Sequence, residues 1–185
     1  MLETGTNRFE DEPWILEVVE DSHIYTDFDC GDADLNEYYQ EEVTYHKQEL
    51  LTQTYCLRDS ARPQLVLALL DFCNDAVHFR KYKASIGIEI NERKQYKYFP
   101  AVKITRLGVK KEFQRNSLGS HILNMVKEIF VTNNRTGCRF ITVDAYNKPN
   151  VLKFYKKNGF QLLTDKDRDK DTRALFFDLK RFISS

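Results

Sequence analysis

The residues best suited to chemistry fall in two stretches. The first is Lys110-Lys111-Glu112-Phe113-Gln114-Arg115-Asn116-Ser117-Leu118-Gly119-Ser120, which leads into a run with Leu118, Ile122, Val126 and Ile129 on one helical face. A polar turn thus feeds a helix N-terminus. Amides at such an end lack partners inside the helix and carry the positive end of its dipole. With Lys110, Lys111 and Arg115 alongside, they suit an anion such as a pyrophosphate. The spacing matches neither the triphosphate loop GxxxxGK[ST] nor the three-glycine dinucleotide fingerprint. Taken alone, the stretch also reads as an ordinary capped helix.

The second stretch runs from Val143 to Phe160. Gly159 suits the left-handed position that ends a helix, Phe160 begins the next strand, and Tyr155 lies about one turn before the stop. Its hydroxyl would project from a fixed place. A lone tyrosine there also reads as packing with a polar tip.

These groups need elements to position them. Trp14 to Val19 reads as a first strand, and Asp34 with Glu37 forms a capping box opening a helix whose Leu35, Tyr38, Tyr39, Val43 and His46 share a face. Leu51 to Leu57 and Gln64 to Phe72 read as an antiparallel hairpin turned by Asp59, Ser60, Arg62 and Pro63. The pattern then alternates: strand 100–109, helix 117–131, strand 139–145, helix 149–158, and strands 160–163 and 173–179. The strands at 100 and 139, separated by a helix, should be parallel neighbours. Within the first, Val102 and Ile104 keep one phase and Leu107 and Val109 the other, which predicts a β-bulge between Ile104 and Leu107 with Gly108 adding freedom. A bulged strand splays from its neighbour and frees backbone amides. The fold class is α/β (α+β), in one domain spanning residues 1–185.

Composition bounds the function. The chain has 28 basic and 28 acidic residues and is 42% hydrophobic, with no apolar run long enough to cross a membrane. Glu3, Glu10, Asp11 and Glu12 make the N-terminus the opposite of a basic leader, so a cytoplasmic protein is expected. Cys30, Cys56, Cys73 and Cys138 show no metal-ligand spacing; they are expected buried and reduced, with no metal site. Zero net charge hides a division: residues 1–42 carry −13 and residues 43–185 carry +13. Between residues 79 and 98, bases including Arg80, Lys81, Lys83 and Arg93 interleave with Phe79, Tyr82, Tyr96 and Tyr98. That mixture suits a phosphate backbone with stacked bases, and equally an amphipathic surface segment.

Together the motifs resemble the GNAT acetyltransferase superfamily. The ITRLGV strand from Ile104 to Val109, the turn from Gln114 to Ser120 and the FYxxxGF run from Phe154 to Phe160 match in order and spacing, with Ser117 standing where the family pattern has its first glycine. The resemblance implies a mixed, mostly antiparallel sheet flanked by helices, with splayed parallel strands around residues 100–109 and 139–145 and acetyl-CoA as the cofactor. It assigns Leu107, Gly108 and Val109 to the acetyl carbonyl and pantetheine arm. Gln114, Arg115, Asn116, Ser117, Leu118, Gly119 and Ser120 take the pyrophosphate, Asn147 and Asn150 lie along the pantetheine, and Tyr155 is the general acid. No acid lies on the strand 100–109, which leaves Glu41 and Glu42 as bases from the first helix. Phe28-Asp29-Cys30-Gly31 through Leu35 to Tyr39 is similar to the opening of the GNAT toxins of toxin–antitoxin pairs, which acetylate the α-amine of aminoacyl-tRNA. The acceptor classes left open are that amine, a small-molecule amine and a protein amine. An antitoxin and a second copy of the chain are the implied protein partners, and a non-catalytic acyl-CoA-binding module is the competing reading.

Overall fold

The computed structural model describes residues 8–20, 27–78, 96–132 and 136–183. Its strands are β1 (Arg8–Asp11), β2 (Trp14–Val18), β3 (Gln53–Asp59), β4 (Arg62–His78), β5 (Tyr98–Val109), β6 (Phe140–Tyr146), β7 (Gln161–Leu162) and β8 (Thr172–Asp178). Its helices are α1 (Ala33–Glu37), a π-turn (Tyr38–Glu42), α2 (Val43–Gln48), α3 (Leu118–Thr132), α4 (Pro149–Lys157) and α5 (Leu179–Ile183). The strands form a mixed sheet in the order β1-β2-β3-β4-β5-β6-β8-β7. β5 and β6 are parallel; β1–β2, β2–β3, β3–β4, β6–β8 and β7–β8 are antiparallel. The mixed, mostly antiparallel sheet and the parallel pair are those expected from the sequence. Most of the basic and aromatic stretch from Phe79 to Tyr98 lies outside the described residues.

By compactness the chain divides into two units, Met1–Cys73 with Thr105–Val126, and Asn74–Ile104 with Lys127–Ser185. No linker marks the division, because β4, β5 and α3 each have residues in both.

In the first unit, the ladder from β1 to β4 buries Leu16, Leu57, Leu69 and Leu70 completely. The hairpin β1–β2, which pairs Arg8 with Glu17 and Asp11 with Trp14, begins before the first strand read from the sequence. The helix opens earlier too. Its cap is Asp32, whose Oδ1 accepts a hydrogen bond from the Leu35 amide at 3.2 Å, while Asp34 is an acidic residue of the first turn. The π-turn closes with the Val43 amide donating to Tyr38 O, one residue more than an α-turn spans. That extra residue lets consecutive tyrosines, Tyr38 and Tyr39, both face inward, where they join Val43, Phe28, Cys30, Cys56 and Leu69 in one apolar cluster.

In the second unit, β6 is the axis. All seven of its residues pair with β8, from Phe140↔Asp178 to Tyr146↔Thr172, but only four pair with β5, from Ala101↔Phe140 to Ile104↔Val143. Phe140 and Phe176 stack edge to face at 5.7 Å beside Val77, Ala101 and Leu163. Where the sequence predicts a bulge, the ladder between β5 and β6 ends although both strands continue. Burial does not change phase there: Val102, Ile104 and Gly108 are buried, and Leu107 and Val109 are half-buried on the opposite side. The switch in hydrophobic pattern reflects a strand covered on both faces.

Candidate functional site

The segment Thr105–Val109 continues β5 beyond its four-residue ladder with β6. Gly108 lies under Phe28: a Cβ added there would come within 3.0 Å of Phe28 Cε1 and 3.2 Å of Cζ. The chain then leaves β5 with three anchors. Lys110 N donates to Leu67 O (2.8 Å) and Lys111 N to Asp29 O (2.9 Å), while Gln114 Nε2 bridges Cys30 O (2.7 Å) and Val109 O (2.9 Å). The glutamine read from sequence as part of the phosphate turn is thus the clamp that ties its base to the strand and to the loop before α1.

Beyond the clamp, Arg115 has φ 67° and Ser117 has φ 61°. Left-handed backbone costs a residue with a Cβ about 1–2 kcal/mol, so this turn holds strain at both positions. Left-handed residues alternating with ordinary ones turn successive N–H groups toward one side, the backbone form that binds anions. Among the described residues, the amides of Arg115, Asn116, Ser117, Leu118 and Gly119 donate to nothing; the first amides of α3 with partners are Ser120 and His121, both bonded to Ser117 O. The residues from Arg115 to Ser117 are exposed, Leu118 is buried, and Gly119 and Ser120 are half-buried. The turn therefore offers free donors and a helix N-terminus, and it fits a pyrophosphate. Ser117 also shows why glycine suits this position: the conformation is left-handed whichever residue occupies it.

Tyr155 belongs to the second unit, and its placement follows the sequence expectation closely. Gly159 (φ 84°) ends α4 with Gly159 N bonded to Lys156 O at 3.0 Å and Phe160 N to Tyr155 O at 3.1 Å, the paired bonds of a Schellman stop. The Phe160 ring packs on the Tyr155 ring at 5.4 Å. Lys127 Nζ donates to Asn158 O at 2.9 Å, sitting 4.4 Å above the Phe177 ring, which further fixes the end of the helix. Tyr155 is only 7% exposed, and burial pushes its hydroxyl well above the ordinary phenol range. It stays protonated throughout the neutral range, as a proton donor must. Asn147 commits both amide hydrogens, to Arg168 O (2.8 Å) and Lys170 O (2.9 Å), leaving its Oδ1 for other use; Asn150 is exposed in the first turn of α4.

A profile of the acetyltransferase (GNAT) domain matches residues 69–162, half of the chain. The chain belongs to the GNAT acetyltransferase family. Its fold agrees with solved GNAT toxins. A tyrosine-to-phenylalanine variant of KacT superposes with a TM-score of 0.71 at 18% identity, over 94% of this chain and 99% of that one. AtaT complexed with acetyl-methionyl-tRNAfMet gives 0.66 at 21% identity, over 92% and 98%. A tyrosine-to-phenylalanine variant of AtaT, bound to the C-terminus of the antitoxin AtaR and to acetyl-CoA, gives 0.63 at 19%, over 92% and 96%. Acetyl-CoA is the acyl donor of a GNAT domain.

Glu41 and Glu42 are exposed, and Glu42 Oε2 is 3.8 Å from His46 Nε2. Among the described residues none of the four cysteines is in a disulfide; Cys30 and Cys56 are buried as expected, whereas Cys73 and Cys138 are only half-buried. Among the described residues, no three His, Cys, Asp or Glu side chains converge as metal ligands. No described helix is long and apolar enough to cross a membrane.

The sequence reading passed over a polar cluster in the first unit. Asp71 on β4 is fully buried, as is Thr54 on β3. Asp71 Oδ1 accepts from Thr54 Oγ1 at 2.5 Å and from the Tyr38 hydroxyl at 3.4 Å, and the Tyr38 oxygen is also 3.2 Å from Thr52 Oγ1. The Arg106 guanidinium lies 3.4 Å from the centre of the Tyr38 ring. Burial raises the Asp71 carboxyl to about 6 against partial relief from Thr54, Tyr39, Arg106 and Tyr38, and it raises the Tyr38 hydroxyl to about 12. The available signal was a single acid inside the apolar run from Leu65 to Phe72.

Proposed function

We propose that this protein moves an acetyl group from acetyl-CoA to a primary amine by direct transfer in a ternary complex, and that the amine is the α-amine of an aminoacyl-tRNA. The turn at Arg115–Gly119 carries the reading: five amides with no partner among the described residues, on a backbone bent by two left-handed residues, in a chain of the GNAT family. Those amides, with Ser120 behind them and Gln114 holding the base of the turn, bind the pyrophosphate. The amides of Leu107 and Val109, either side of Gly108, hold the acetyl carbonyl and the pantetheine arm, and Asn147 Oδ1 and Asn150 contact the pantetheine. Bound acetyl-CoA supplies the acetyl group as a thioester, already activated toward amines. Tyr155 gives its proton to the departing sulfur. Donors fixed before charge develops on the carbonyl oxygen need no reorganisation during the reaction.

Two considerations favour a charged tRNA as acceptor. An α-amine with a pKa near 8 is about one-third neutral around pH 7.5, whereas a lysine amine near 10.4 is neutral to about one part in a thousand. The first needs less help in a site with no acid on β5. The +13 charge of residues 43–185 also suits a polyanion. The similarity to AtaT with acetyl-methionyl-tRNAfMet supports the same acceptor, and the similarity to AtaT with AtaR supports an antitoxin partner. A protein acting on charged tRNA works in the cytoplasm.

The test incubates the purified protein with labelled acetyl-CoA and, separately, charged tRNA, uncharged tRNA and polyamines. Label is expected with charged tRNA alone; label on polyamines alone removes the tRNA reading. Tyr155→Phe is expected to keep CoA binding and lower turnover at least tenfold, and unchanged turnover would remove Tyr155 from the acid role.

A further inference from the structure

The loop between β7 and β8 lies in the same unit as Tyr155. From Thr164 to Asp171 it reads Thr-Asp-Lys-Asp-Arg-Asp-Lys-Asp, with no apolar side chain to anchor it. One of these eight residues, Asp167, is buried. It is 7% exposed, and its partner Arg173 on β8 is 6% exposed. Their bonds are all directed. Asp167 Oδ1 accepts from Arg173 Nε and Oδ2 from the Ala174 amide, both at 2.7 Å. Arg173 Nη2 donates to Thr164 O at 3.2 Å and lies 3.7 Å from Asp165 Oδ1, while Lys170 N donates to Asp167 O at 3.1 Å. Two apolar side chains would hold the loop to the sheet at least as firmly, because a buried ion pair loses most of its attraction to desolvation. What the pair adds is geometry: it sets where the loop carbonyls point.

Those carbonyls hold the start of α4. Asn147, between β6 and α4, gives its backbone N–H to Asp171 O at 2.8 Å and its two side-chain hydrogens to Arg168 O and Lys170 O at 2.8 and 2.9 Å. Lys148, at the N-cap of the helix, makes no side-chain cap bond, and Pro149 follows it. The far end of α4 is fixed by the stop at Gly159 and by Lys127. The tie at Asn147 settles the other end, and with it the axis on which Tyr155 sits about two turns further on. We infer that the buried Asp167–Arg173 pair is a positioning device for the general acid: through the loop carbonyls and Asn147 it orients α4 so that the Tyr155 hydroxyl meets the departing sulfur. The inference rests on the acid role given to Tyr155 above. Tyr155 is the catalytic residue; Asp167 and Arg173 act through it and are positioning residues. Proton transfer to sulfur needs an aligned O–H, and a displacement of about 1 Å can lower a rate by about a hundredfold.

The experiment is a double-mutant cycle on kcat, at saturating acetyl-CoA and with the acceptor that takes label in the assay above, using Asp167→Asn, Tyr155→Phe and both together. Asp167→Asn keeps an oxygen for the Ala174 amide and removes the charge that holds Arg173. It is expected to lower kcat about tenfold when Tyr155 is present, and by less than about twofold in the Tyr155→Phe background, where there is no hydroxyl to align. A loss of folded protein would lower both backgrounds alike, so equal effects overturn the inference. An unchanged kcat in Asp167→Asn overturns it too. Arg173→Lys keeps the ion pair and gives up the bond to Thr164 O. It passes through the same cycle, and decides the matter should Asp167→Asn not fold; a loss of about threefold, confined to the background with Tyr155, is expected. Full kcat in Tyr155→Phe removes the acid role and the inference with it. A lowered kcat there, with no dependence on Asp167 or Arg173 in the wild-type background, overturns the inference alone and leaves the acid role standing.

Discussion

Replacing Asp71 by asparagine should change how stability depends on pH by an amount the structure fixes. In the fold the carboxyl rises from 3.8 to about 6, chiefly through burial. Because the folded value exceeds the unfolded one, the folded chain binds the proton more readily between them. The carboxyl therefore costs nothing below about pH 3.8, costs more as pH rises, and reaches its full effect above about 6. A shift of about 2 units at ~1.36 kcal/mol per unit is about 3 kcal/mol in full, of which ~1.4 kcal/mol falls between pH 5 and 7.5. Asparagine has no such proton. Whatever constant offset the exchange brings through the Thr54 and Tyr38 hydrogen bonds, the stability difference between variant and wild type should move by ~1.4 kcal/mol in the variant's favour on going from pH 5 to 7.5. At about 2–4 °C per kcal/mol for a chain of this length, this is a change of about 3–6 °C in the gap between their melting temperatures. Melting both proteins at half-unit steps cancels every titration they share. Tyr38, raised to about 12, stays neutral across the range and adds no slope. Melting curves that run parallel across the interval would refute the reasoning: Asp71 would then titrate as it does in the unfolded chain.

Other consequences can be checked separately. Ser117→Gly releases a left-handed cost of about 1–2 kcal/mol against a chain-entropy cost of about 0.5–1 kcal/mol, so urea titration should show a gain of about 0.5–1 kcal/mol; a loss would mean that the serine hydroxyl supplies a compensating bond. Gly108→Ala pushes a methyl group to 3.0 Å from Phe28, which is 2% exposed and has no room to retreat, and should cost about 1–3 kcal/mol. Adding Phe28→Leu should return part of that loss, and a purely additive double variant would show that the two residues do not press on each other.

The elements were legible in the sequence where a local rule governs them. Gly159 predicted its own left-handed φ and the end of α4, because a helix stop is decided within a few residues. The parallel pairing of β5 with β6 followed from the helix between them. The misses share a different cause. Asp32 rather than Asp34 caps α1, since two acids two positions apart offer the same chemistry and only the path of the chain selects one. The left-handed residues at Arg115 and Ser117 were invisible because neither residue type advertises that conformation; the order of the surrounding motifs located the turn, and the backbone then explained the motif. Asp71 is the strongest case. In the sequence it interrupts an apolar strand, and its partners Thr54, Tyr38 and Arg106 lie 17, 33 and 35 positions away on three other elements. Spacing cannot reveal a cluster whose members meet only after the strands and the π-turn have packed. What marks such a group is the conflict between its charge and the burial of its neighbours, which exists only once the chain has packed.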